Sequence, residues 1–217
     1  MRNAAIVALL LMRWAQGGPV EELRTPAISV RLFDYAGVSG KTMDAGLRAT
    51  ERILKSAGVE VAWVHCPADP GLLALATPCR SAPGPLTIVL HILPHGATRL
   101  QTEPGAAGFA VAPAEGAFGA YAGIFHDRVQ KLATSMTEAT ALGHVIAHEL
   151  GHLLLGTGQH SVSGIMKGDW RYRQVILAGQ GLLRFDERER LRILSNMRRR
   201  IQALNSGLPE STDRRRD

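Results

Sequence analysis

Residues 144–166 read HVIAHELGHLLLGTGQHSVSGIM, and the fold turns on how they are taken. Leu142, Val145, Ile146, Leu150 and Leu153 recur at helical spacing, which predicts a helix over 137–155 with one buried stripe. Gly156, Thr157 and Gly158 break it. His148 and His152 stand four residues apart, so both imidazoles share one helix face and can reach one zinc ion. Neutral imidazole binds zinc without cancelling its charge. Glu149, beside the first histidine, is placed to hold a water and take its proton as general base.

A site of this kind needs a third protein ligand. His160 is the preferred candidate, because the two glycines before it let the chain leave the helix and turn back. The alternative is a downstream carboxylate, Glu187 or Glu189, although these also read as the first turn of a capped helix. His144 extends the histidine row by one more turn. Three histidines in one row rise further than one coordination sphere spans, so His144 reads as a buried neighbour of the site. His65, His91, His95 and His126 have no partner pattern and read as packing or surface residues.

With His148, Glu149, His152, Gly156, His160 and Met166 in this order, the chain resembles the metzincin clan of zinc metallopeptidases. The His160-Ser161 pair and the Gly164-Ile165-Met166 turn carry the later part of that resemblance. The loop from His152 to His160 is two residues longer than the clan's pattern. Residue 168 is Gly, where some members have a tyrosine. The resemblance implies an α+β, zincin-like fold: a twisted mixed sheet of about five strands, an active-site helix and a C-terminal helix. It implies Zn2+ as cofactor, a peptide or protein as substrate, Met166 as an apolar floor under the histidines, and an edge strand that pairs with substrate. Residues 108–112 or 120–125 are the candidates for that edge.

Upstream, 28–33, 59–64, 86–93, 108–112 and 120–125 read as strands. The nearly continuous apolar run at 86–93 places that strand centrally. Residues 42–57 and 127–133 read as helices, 94–104 as loop and 115–119 as a turn. Little pattern shows from 157 until a short regular stretch at 171–179. Asp186, with Glu189 three residues on, opens the last helix as a capping box. Leu191, Ile193, Leu194, Met197, Ile201 and Leu204 carry its apolar side, and Arg198-Arg199-Arg200 reads as a solvated end.

The remaining evidence bounds the setting. Of 217 residues, 46% are hydrophobic and 20% charged, which suits one globular domain and excludes a disordered chain. The net charge of +6 lies at the two ends, which argues against nucleic acid as a partner. Met1-Arg2, the apolar run 4–12 and Ala15-Gln16-Gly17 fit an export signal at 1–17, too short for stable membrane insertion. A catalytic domain at 18–205 and a basic disordered tail at 206–217 follow, in a secreted or periplasmic protein. In an oxidising compartment Cys66 and Cys79 can close one small disulfide loop. Two functions fit these residues: an exported zinc endopeptidase, or a zinc-bearing binding protein without turnover. Glu149 favours the first, because a purely structural zinc site needs four ligands and no base.

Overall fold

The computed structural model describes residues 25–95, 105–111, 113, 117–133, 136–170 and 172–207. The export signal at 1–17, most of the 94–104 loop, part of the 115–119 turn and the tail from 208 lie outside the described residues.

Strand β1 (Ala27–Asp34), helix α1 (Gly40–Ser56) and strand β2 (Glu60–Cys66) open the chain. A parallel pair needs a crossover, and α1 supplies it, with Val30 opposite Trp63. Helices α2 (Pro70–Leu75) and α3 (Thr77–Arg80) follow, then β3 (Thr87–Leu93), β4 (Gly108–Ala110) and β5 (Tyr121–Phe125). The sheet order is β2-β1-β3-β5-β4. Only β4 runs antiparallel, so the sheet is mixed and five-stranded. The apolar run of β3 lies in the middle, between β1 and β5. β5 is flanked on both sides, so 120–125 is not the edge; the edge near the site is β4.

Alternation sorts the sheet's two faces. Ile28, Val30, Leu32, Ile88, Leu90, Ile92, Ala122 and Ile124 join the main core. Phe33, Val89 and Cys66 form a second cluster with Leu73 and Cys79. The cysteine segment holds two short helices rather than plain loop, and a Cys66–Cys79 disulfide closes it. Such a loop contributes about 3 kcal/mol by the chain-entropy account.

After α4 (His126–Leu132) comes α5 (Glu138–Leu155), capped by Thr137, whose hydroxyl accepts from the Thr140 amide. Every residue from Ala141 to Leu155 is buried, which is why its sequence is apolar nearly all round. It packs closely on α1. A Cβ on Gly143 would lie 2.5 Å from the Gly46 carbonyl oxygen. The Thr50 hydroxyl spans this contact, 3.1 Å from the Gly46 carbonyl and 3.0 Å from that of Gly143.

Helices α6 (Tyr172–Gly179) and α7 (Glu187–Ser206) are the last of the described elements, the latter with the Asp186–Glu189 capping box in place. Its apolar side is narrower than the sequence suggests. Ile193 and Met197 are buried, but Leu191 and Leu204 are exposed. Arg200, read as part of a solvated end, is instead 1% exposed. Its guanidinium donates to the carbonyls of Pro85 at 2.7 Å and of Gly119 and Leu153 at 2.9 Å. A fork of donors can be buried where several carbonyls receive it. Asn196 donates to the Leu154 and Leu155 carbonyls, which satisfies acceptors that the end of α5 leaves open. No helix among the described residues is long and apolar enough to cross a membrane.

Candidate metal centre

Helix α5 carries His148 and His152 on one buried face. The His148 Nδ1–H donates to the Ile165 carbonyl at 2.7 Å, and the His152 Nδ1–H to the Thr157 carbonyl at 2.9 Å. A carbonyl can only accept, so both protons are fixed on Nδ1 and both Nε2 atoms present lone pairs. Those Nε2 atoms lie 3.1 Å apart. Burial pushes the His148 pKa down to about 4 and lowers that of His152, which keeps the rings neutral.

His160 is the third member. Its ring centroid lies 5.3 Å from that of His148 and 5.0 Å from that of His152. One nitrogen from each of the three falls within 4.8 Å of the others. The long loop accommodates this. Gly156 takes the left-handed conformation at the end of α5, with φ 65°. Thr157 then folds back to receive His152, and its hydroxyl accepts the Gln159 amide at 3.1 Å.

The alternative carboxylates are occupied elsewhere. Glu187 is exposed and pairs with Arg190 at 2.6 Å. Glu189 is buried; one oxygen takes the Ser161 hydroxyl at 2.5 Å and the other the Asp186 amide at 2.8 Å. Glu189 thereby anchors the residue that follows His160. The Ser161 amide also donates to the Met166 carbonyl at 2.9 Å, which closes the turn. Met166 is fully buried and lies against α5 at Gly151, where a Cβ would sit 2.5 Å from its Sδ.

Sequence reasoning missed three contacts here. A Cβ on Gly168 would lie 2.6 Å from the His160 Nδ1, so the bare glycine leaves the room that His160 fills. Trp170 meets His148 edge-on, with centroids 5.9 Å apart, and donates to the same Ile165 carbonyl at 3.3 Å. Gly108 of β4 lies against Glu149, where a Cβ would be 2.8 Å from both Cγ and Oε1. None of these contacts leaves a local pattern in the sequence.

Glu149 is buried, and burial pushes its pKa up to about 8. His144 is buried as well. Its Nδ1 donates to the Thr140 carbonyl at 2.8 Å, its Nε2 has no partner among the described residues, and it stands outside the converging set. Of the other histidines, His91 stacks edge-on with Phe33 and Tyr35, and His126 pairs with Glu138 at 2.6 Å. His65 and His95 are exposed.

The donor set fits a metal cation. Two lone pairs facing each other at 3.1 Å repel unless a proton or a cation lies between them. The protons are committed to the carbonyls, and burial resists adding more. Imidazole trios suit zinc and its late first-row neighbours.

No family model matches the chain, and no curated protein matches it. A solved structure of archaemetzincin from Methanopyrus kandleri is similar to it, at 18% identity with a TM-score of 0.47, over 81% of this chain and 98% of that one.

Proposed function

We propose that this chain is an exported, zinc-dependent endopeptidase. The observation that carries the reading is the pair of Nε2 lone pairs, 3.1 Å apart and held by carbonyls behind them, with His160 closing the third side. Residues His148, His152 and His160 would hold the ion, with Met166 buried against helix α5 at Gly151. Zinc bound there supplies Lewis acidity, polarising a peptide carbonyl and acidifying water.

The chain's own residues do the rest. Glu149 takes a proton from the attacking water on its carboxylate and returns it to the departing amine. Burial raises its pKa in the metal-free protein, and a cation held by the histidines would favour the ionised carboxylate that accepts the proton. An extended peptide pairs with the outer edge of β4, which has no neighbouring strand among the described residues. Gly108 on that strand touches Glu149, so the peptide's course passes beside the base. The apolar run at 4–12 and the Cys66–Cys79 bond support export, since disulfides persist in oxidising compartments.

The test is cleavage of a diverse peptide library by zinc-loaded residues 18–217, with Glu149→Ala in parallel. Cutting by the parent and not by the variant is expected. Equal cutting by both, or none by a folded, zinc-loaded parent, overturns the reading.

A further inference from the structure

The turn around Met166 and helix α6 enclose a pocket of about 380 Å³, lined by Val162, Ser163, Gly164, Lys167, Arg173 and Leu177 among others. It lies on the loop that carries the third histidine. Val162 is two residues from His160, and Lys167 precedes Gly168, whose backbone abuts the His160 ring. The pocket and the histidine trio therefore share a wall.

Its charge is one-sided. Lys167 and Arg173 line it, and no Asp or Glu among the described residues does. Neither cation has an ion-pair partner among the described residues, whereas Lys131 and Arg190 are each paired along their own helices. The rest of the lining joins the polar Ser163 and Gln174 to apolar surface. Val162 is 94% exposed at the rim, and Leu177 stands opposite on α6. A partly apolar wall with two cations that lack an ion-pair partner among the described residues matches a short aliphatic stem that ends in a negative charge.

We infer that this pocket takes a carboxylate of the bound peptide and makes the chain selective for acidic peptides. The inference deepens the peptidase reading and, for cleavage, rests on it. The carboxylate is either a Glu or Asp side chain near the bond to be cut or the C-terminus of the peptide. Both present the same two oxygens to Lys167 and Arg173.

The probes are fluorescein-labelled octapeptide pools, blocked at both ends, with Glu or Gln fixed at each position in turn. A further pool carries a free C-terminal acid. Binding is read by anisotropy on the zinc-loaded full chain carrying Glu149→Gln, and cleavage by the parent protein is read by mass spectrometry. At one position the Glu pool should bind about tenfold tighter than its Gln counterpart, a difference of about 1.4 kcal/mol. The double substitution Lys167→Glu and Arg173→Glu should abolish or reverse that order. Arg173→Glu alone, at an exposed position, should weaken it even if the double variant does not fold. Preference for the free acid alone identifies the C-terminal carboxylate as the ligand. Equal binding of Glu and Gln pools, and of acid and amide, overturns the inference, as does cleavage without acidic preference. Charge-selective binding without cleavage retains it and removes the peptidase reading.

Discussion

Glu189 receives the Ser161 hydroxyl at 2.5 Å, so the residue after His160 is tied to the first turn of the C-terminal helix. The same carboxylate closes the capping box through the Asp186 amide. One side chain thus serves a helix end and a candidate metal ligand together. Ser161→Ala breaks the tie and spares the cap. It should lower zinc affinity about tenfold, the lower end of the usual cost of losing an outer partner, with little change in melting temperature. Glu189→Ala should show the same affinity loss plus about 1 kcal/mol of stability. Competition titration with a chelating dye measures the first quantity and thermal melting the second. Full affinity in Ser161→Ala would sink the idea that the tie positions His160.

Gly168 and Gly143 separate a site effect from a fold effect. A Cβ at 168 meets the ring of a surface-exposed histidine, which can swing away. Gly168→Ala should therefore keep its stability and lose zinc affinity tenfold or more, to about the extent of Ser161→Ala. A Cβ at 143 meets the backbone of α1, which cannot yield without parting the helices. Gly143→Ala should cost about 1–3 kcal/mol in denaturant unfolding. Comparable zinc binding by Gly168→Ala and the parent would contradict the tight approach to His160.

Protonation gives opposite signs at the two buried neighbours. Without metal, His148 has its pKa lowered from 6.5 to about 4. The unfolded chain binds that proton first, so the stability is present above pH 6.5 and is lost as pH falls towards 4. Glu149 has its pKa raised from 4.5 to about 8. Its contribution is present below pH 4.5 and is lost as pH rises through 8. Glu149→Gln should therefore make the metal-free protein more stable relative to the parent at pH 8 than at pH 4.5, by an amount on the order of a few kcal/mol. Denaturant midpoints across this range check it, and a constant difference would refute it.

Metal loading draws on the same proton. A cation beside Glu149 favours its ionised form, so zinc uptake at pH 7 should release a proton that Glu149→Gln does not release. Calorimetry in buffers of different ionisation enthalpy counts these protons. Equal counts for the two proteins would place Glu149 too far from the ion to act on it.

Arg200 tests whether buried charge supports the fold. Its removal leaves the Pro85, Gly119 and Leu153 carbonyls without their donor. Arg200→Ala should cost on the order of 3 kcal/mol in urea unfolding. A midpoint unchanged from the parent would show that other donors replace it.

Much of this architecture was legible in the sequence because it is local. The stripe of α5, the Thr137–Leu155 span, the Asp186 cap and the apolar run of β3 each declare themselves within a few residues. The fit of His160 did not, because a longer loop can close only if something receives it. That something is the Thr157 carbonyl turned onto His152, and Glu189, 28 residues beyond Ser161. Arg200 was misread for the same reason. Its Pro85 acceptor lies 115 residues away, and beside two other arginines it carried no mark of burial. The edge strand also depended on sheet order, which alternation within single strands does not encode.

The fastening of the histidine loop and of the end of α5 by Glu189, Asn196 and Arg200 has a consequence in time. All three histidines precede residues 186–200 in the chain, so the ligands exist before their fastening does. Until then Ser161 has no clamp, and the last carbonyls of α5 have no donors from α7. Released chains truncated near residue 180 should hold the HExxH pair but bind zinc weakly, and gain their grip when the final helix is present.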